Sequence, residues 1–458
     1  MKIQTTIATA LSLGLLSAAT VARADSTVQI GGTTYNEVFI TGSTAARGNV
    51  FHAVDTAHSG GGVFDSIPTF VTLNNGPAPT TSTGAYTAYG TISGTPYCLC
   101  FDFSGSEAGL WALQRQASGI PNPVQNALGT NSTAVIPGTP EPTGFIDPNT
   151  ANAFTADADL SMADTSQAVS LSPAPPYTAL HDYGIVGAVT FEWCKGKNSN
   201  PTAGGDTSWT DLTNVTDPQL NYLLSSSQIA FYFTGNTNDQ DDVYPVGRNK
   251  ASGTHQNTML DTLHGTTVAV NQYVVSNCTY SASGALTAGS IEAVSTAGGI
   301  VSVGNDGFDS GGSVATELSC DEASAKDSFG YQIIMLGYVG ISDATTAIGN
   351  GAAALRLNGV PENDETVENG TYSFWGHEHL YGTASEDAAV EAVGTALGGT
   401  NPIHSFGAGT PNGALENAGQ LGGGEANPGS TQSTIIAPQF MQADKPSGSD
   451  AGYSAPLL

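Results

Sequence analysis

Charge is scarce in this 458-residue chain, and what there is is mostly negative. Only 11% of residues are charged, with 11 Lys and Arg against 40 Asp and Glu and a formal net charge of −29. Nucleic acids and anionic lipid surfaces are held by clustered Lys and Arg, so this balance excludes both as partners. Cysteine is scarce as well: Cys98, Cys100, Cys194, Cys278 and Cys320 are all there are. Cys98 and Cys100 have neither a CxxC partner nor a histidine at finger spacing, which argues against a structural zinc site. An odd number leaves one thiol outside any set of pairs, and Cys278 and Cys320, which flank a Gly/Ser/Ala-rich stretch, are the pair expected to close. No kinase or nucleotide loop of the G-x-x-x-x-G-K-[ST] type is present, so the chain is not expected to be an energy-coupling subunit. No solenoid-type repeat is present either.

Long apolar runs are missing except at the start. Lys2, the run around Leu11, Leu13, Leu15 and Leu16, and Ala22-Arg23-Ala24 read as a secretory signal peptide over residues 1–24. The run is too short for a bilayer span, and nothing later is long and apolar enough. Cleavage would remove Lys2 and Arg23 and leave a still more acidic, exported chain, periplasmic, secreted or at the cell surface. An anionic ligand would then have to be held by local dipoles and a few well-placed donors rather than by the overall field.

Glycine, by contrast, is plentiful, at 57 residues. Apolar runs at Glu37–Ile40, Tyr97–Phe103, Gly184–Thr190, Gln228–Phe233 and Leu336–Ile341 read as buried strands alternating with helical patterns, an α/β class. The Gly/Pro/Ser/Thr-rich segments Pro68–Thr95, Ile120–Thr150, Gly196–Thr207 and Ser281–Ser313 read as surface insertions. The tail after Phe406 is expected to pack loosely.

Three places share one local design: an apolar strand, a Gly/Ser/Thr turn, then a helical pattern. Thr41-Gly42-Ser43-Thr44 precedes a helix through Val50, Phe51 and Val54. Ser104-Gly105-Ser106 precedes one through Leu110, Trp111 and Leu113. Arg248 and Ser252-Gly253-Thr254 precede one through Met259, Leu260 and Leu263. The first N–H groups of a helix lack internal partners and carry partial positive charge, and glycine admits a ligand close to them. Such turns cradle phosphate or sulfate; ordinary N-capping is the bland alternative at each. Arg248 adds a fork for two oxygens. Asp164, in Ala163-Asp164-Thr165-Ser166, is a carboxylate in a setting that otherwise suits an N-cap.

Those four segments, in that order, resemble the phosphate-binding component of bacterial ABC-type phosphate uptake systems. The Arg248 to Ser252-Gly253-Thr254 spacing is the most specific part. Asp211-Leu212-Thr213 with Gln219-Leu220, Leu336-Gly337-Tyr338-Val339-Gly340, and the segments from Leu355 to Pro361, Asn369 to Tyr372 and Leu380-Tyr381 extend the likeness from about Val38 to Tyr381. The resemblance implies a type 2 periplasmic-binding-protein fold with two α/β lobes joined by a strand hinge. The lobes would be residues 25–183 with 343–458, and residues 184–342. It implies a phosphate or related oxyanion as ligand and the membrane subunits of an importer as partners. It implies no cofactor, no metal and no catalysis, and a monomer is expected. Ser43, Thr44, Ser106, Ser252, Gly253 and Thr254 would donate to ligand oxygens, Arg248 would pair with the anion, and Asp164 would accept the ligand's proton. The first loop departs from the pattern: it lacks the Thr-Phe-Pro that follows the glycines and carries Arg47 instead, which would touch the anion, pair with Asp164 or sit in solvent.

Two motifs compete. Asp309-Ser310-Gly311-Gly312 resembles the nucleophile motif of chymotrypsin-like proteases, and Thr56-Ala57-His58 their histidine motif. The flanking Gly, Pro and Cys are absent, and the pattern is not all-β, so a Gly-rich turn is the better reading. His377-Glu378-His379 offers metal-ligand types but fits the closing segment of the family. An exported surface protein that kept the fold and lost the site is the alternative from another class.

Overall fold

The computed structural model describes residues 26–57, 59, 61–117, 144–168, 180–198, 207–266, 268, 270–275, 300–302, 307–308, 310–319, 332–383, 387–400, 403–406, 413–417, 435–445 and 455–456. The segment read as a signal peptide, Cys278, Cys320, His58, Asp309 and most of three Gly/Pro/Ser/Thr-rich segments lie outside them. No helix among the described residues is long and apolar enough to cross a membrane.

The class is mixed α/β, as the alternation of patterns predicts. The principal strands are β1 (Thr33–Gly42), β2 (Ala85–Ile92), β3 (Thr95–Asp102), β4 (Leu160–Ala163), β5 (His181–Lys195), β6 (Asp242–Val246), β7 (Ile333–Gly340) and β8 (Trp375–Gly382). They join one mixed sheet in the order β6-β7-β5-β8-β4-β1-β3-β2. β1 runs parallel to β3 and β4 on one side, β6 runs parallel to β7 on the other, and the pairings of β5 are antiparallel. The long strand β5 connects the sides. Its first part pairs with β8, and its last five residues, Phe191 to Lys195, pair with β7.

Helices follow from the same local chemistry: α1 (Arg47–Asp55), α2 (Ser106–Ala117), α3 (Asp217–Ser225), α4 (Gly253–Asp261), α5 (Gly311–Leu318), α6 (Ile341–Gly349) and α7 (Ala388–Gly398). Thr216 and Gln219 form a capping box at α3. Asp387 caps α7 by accepting from the N–H groups of Ala389 and Val390. β1 ends at Gly42, whose φ is 115° and where a Cβ would lie 1.9 Å from the Met162 carbonyl. Only glycine turns the chain there.

Four expectations are corrected. Gln228–Phe233 is a strand only at Gln228–Ile229. Phe231–Thr234 is a short helix stopped by Gly235 in the left-handed conformation, so the cap overrides the apolar run. Leu263 does not share the apolar face of α4: it lies past the helix end, at φ 57° and 74% exposed. Pro68–Thr95 is no surface insertion, because Thr69–Val71 and β2 extend the sheet, with Tyr86 fully buried against Phe101. The tail does not pack loosely throughout. Ile435 and Ile436 are buried and pair with Val189 and Ala188 of β5. Lys445 is fully buried and meets Asp261 at 3.0 Å. Apolar burial and one enclosed ion pair outweigh the entropy of a glycine-rich approach.

Candidate anion-binding site

Three of the four sequence segments meet at Asp164. The Ser106 hydroxyl, at the start of α2, hydrogen-bonds Asp164 Oδ1, and the Asp164 N–H points back at Ser106 Oγ at 3.3 Å. Gly253, the first residue of α4, presses on the same atoms. A Cβ there would lie 1.4 Å from Asp164 Oδ1 and 2.8 Å from Ser106 Oγ. Asn257, one turn further along α4, donates its amide to the Asp164 carbonyl at 2.6 Å. Ser106, Asp164, Ser252 and Thr254 are all buried. Two helix N-termini thus face one carboxylate, each delivering a partial positive charge.

The approach of α2 and α4 is close at the backbone as well. Gly105 has φ 108°, and a Cβ on it would lie 2.6 Å from the Ala251 carbonyl. That carbonyl accepts from the N–H groups of Glu107 at 3.1 Å and Ala108 at 3.4 Å. Ser252 acts as N-cap of α4, accepting from the His255 N–H at 3.4 Å. Thr165 fixes the neighbouring acid by donating to Glu107 at 2.8 Å.

Arg248 approaches from the β6 side. It is buried, its Nε donates to the Phe308 carbonyl at 3.2 Å, and its Nη1 reaches Thr44 Oγ1 at 3.5 Å. Its carbonyl is held by Gln272 at 3.1 Å and by the Tyr338 hydroxyl at 3.4 Å. Tyr338 in turn meets His255 Nδ1 at 2.9 Å. Burial, together with the charges of Arg248 and His264, pushes the His255 pKa down to about 4, so this ring is neutral and acts as a strut.

Ser43 of the first loop is buried, and its hydroxyl accepts from the Ala46 N–H at 3.2 Å, a turn-capping role. Thr44 is the member of that loop that reaches Arg248. The charge of Arg47 acts on Asp343, as does that of Arg248. Burial raises the Asp343 pKa, and the two arginines pull against it. Asp343 is a member of the cluster that the sequence reading missed. Its carboxylate sits where a Cβ on Gly311 would be 2.0 Å away, at the start of α5. Its only sequence signal is an acid in the first turn of α6 after an apolar strand.

The competing motifs resolve into structure. Ser310 caps α5 by accepting from the Ser313 N–H. His377, Glu378 and His379 lie buried on β8, and His377 Nε2 meets Asp444 Oδ1 at 2.8 Å, a tail-docking contact.

No family model matches the chain, and no curated protein does. Solved structures resemble it distantly, at the level of the fold. One, described as a phosphate ABC transporter substrate-binding protein with bound phosphate from Clostridium perfringens, is 11% identical with a TM-score of 0.37, over 78% of this chain and 91% of that one. PstS from Borrelia burgdorferi is 12% identical with a TM-score of 0.32, over 78% and 90%. An ABC-type phosphate transport receptor from Vibrio cholerae is 14% identical with a TM-score of 0.29, over 50% and 69%.

Proposed function

We propose that this chain is an exported solute-binding protein that closes on one phosphate between two lobes and hands it to an ABC importer. The carrying observation is the convergence of Ser106, Asp164 and Gly253, with Arg248, four residues before the Ser252 cap, reaching Thr44 of the first loop. Donors at two helix N-termini suit the oxygens of an oxyanion, and Arg248 suits its charge. Asp164, acceptor-only when ionised, suits an anion that still carries a proton. The arrangement of donors around a single acceptor is that of a binding site. The lobes of this reading are residues 25–183 with 343–458, and residues 184–342, with β5 leading from one to the other. Calorimetric titration of the purified chain with phosphate tests it: one site with high affinity is expected, and absence of heat with no protection from melting would overturn it.

One observation favours a second reading, a surface protein on this fold that no longer binds. The Ala251 carbonyl takes the Glu107 and Ala108 N–H groups that a ligand would otherwise use. The same titration separates the two readings, since a site filled by its own backbone releases no binding heat.

A further inference from the structure

Away from the cleft, the sheet register builds a second constellation. β1 and β3 are parallel, with Glu37 opposite Cys98 and Phe39 opposite Cys100. Directly paired residues on neighbouring strands share a face, and residues two apart on one strand share a face. Glu37, Cys98 and Cys100 therefore lie on one side of the sheet, away from the Val38 and Leu99 side. Oxygen and the two sulfurs lie within 4.8 Å of one another. Both thiols are fully buried. Glu37 is half-buried and steadied by Ser26, whose hydroxyl donates to Glu37 Oε2 at 2.8 Å. It lies at the border between the thiols and solvent.

We propose that Glu37, Cys98 and Cys100 bind a thiophilic d10 metal ion, Zn2+ in the first instance. Two thiolates and a carboxylate are ligand types that zinc accepts, and three protein ligands leave a fourth tetrahedral position for water. Sulfurs on such an ion sit roughly 3.8 Å apart when each bond is about 2.3 Å, within the spread seen here. A disulfide is the poorer use of this pair. Alternate residues of an extended strand have Cα atoms about 6.6 Å apart, the upper edge of what a disulfide spans. On binding, the two thiol protons pass to solvent and no oxidant or reductant is needed. The sequence offers no third ligand near Cys98-Leu99-Cys100 along the chain; the neighbouring strand supplies it from the side.

The test is cobalt titration of the metal-free, chemically reduced chain, followed by Zn2+. The expected result is a near-ultraviolet thiolate-to-cobalt charge-transfer band saturating at one ion per chain and abolished by Zn2+. It is lost in Cys98→Ser and in Cys100→Ser and kept in the Cys278→Ser/Cys320→Ser variant. Glu37→Gln, at a half-buried position, weakens cobalt binding by at least about tenfold. Absence of the band in the native reduced chain, or its survival in the Cys98→Ser/Cys100→Ser variant, overturns the proposal. If the cysteine variants do not fold, Glu37→Gln decides, because unchanged cobalt affinity there overturns it equally.

Discussion

Ser106 and Asp164, 58 residues apart in the chain, are joined by a hydrogen bond from the Ser106 hydroxyl to the Asp164 carboxylate. The N-terminus of α4 closes over both. A ligand that enters must share this carboxylate with Ser106, and that requirement shapes the following predictions.

Gly253 is the residue least able to change. A Cβ would overlap Asp164 Oδ1 at 1.4 Å. Gly253→Ala should therefore hold α4 away from Asp164 and weaken phosphate binding by about 1–3 kcal/mol, the scale of overpacking. The same overpacking should also lower the melting temperature. Calorimetry beside thermal melting checks this, and an unchanged affinity would contradict it.

Arg248→Ala should weaken binding by roughly 2–5 kcal/mol, as for truncation of a buried charge partner. Arg248→Lys should not restore it, because an ammonium cannot reproduce the guanidinium's fork toward Phe308, Thr44 and an anion. Full affinity in either variant would remove Arg248 from the site.

Lys445 and Asp261 tie the tail to α4 with side chains 0% and 5% exposed. Lys445→Ala leaves Asp261 enclosed without that cation and should cost about 3–5 kcal/mol of stability. Denaturant unfolding measures it. A change of a few tenths would mean that the tail does not dock in solution.

Glu192 and Glu362 set a pH dependence. Burial raises Glu192 from 4.5 to about 7. Burial, then the charges of Glu192 and Asp364, raises Glu362 to about 9. Both folded-state values lie above the unfolded value, so the folded state binds more protons, and stability falls as pH rises. The loss begins near pH 4.5 and is complete above about 9. Glu192→Gln and Glu362→Gln should each flatten that slope and stabilise the chain at pH 8 by on the order of 2 kcal/mol. Melting temperatures from pH 5 to 9 check it; a native protein whose stability rises over that range would contradict the assignment.

The α/β class and the three strand–turn–helix starts were legible in the sequence because they are local. Ser106, Gly253 and Arg248 stand within a few residues of the glycines and caps that shape them. What long-range packing decides was not legible. Asp343 joins Arg47 and Arg248 only because α6 follows β7 to the same end of the sheet. Ile435, Ile436 and Lys445 dock from a glycine-rich tail whose composition predicts no docking. Glu37 meets Cys98 through a parallel register that no spacing within either strand reveals. Gln228–Phe233 reads as one strand because an apolar run of strand length carries no mark of the Gly235 cap that makes Phe231–Thr234 helical.

The central claim is that Asp164 selects a protonated oxyanion. It is tested most directly by competitive calorimetry of phosphate and sulfate on the native chain and on Asp164→Asn. Monohydrogen phosphate can donate its proton to the carboxylate, whereas sulfate meets it with lone pairs against lone pairs, at a cost of about 1–3 kcal/mol for the unmade bond alone. The account predicts tight phosphate binding and at least about tenfold weaker sulfate binding by the native chain, with the ratio collapsing in Asp164→Asn, whose amide can donate. Equal affinity for the two anions, or a ratio that survives the substitution, would contradict it.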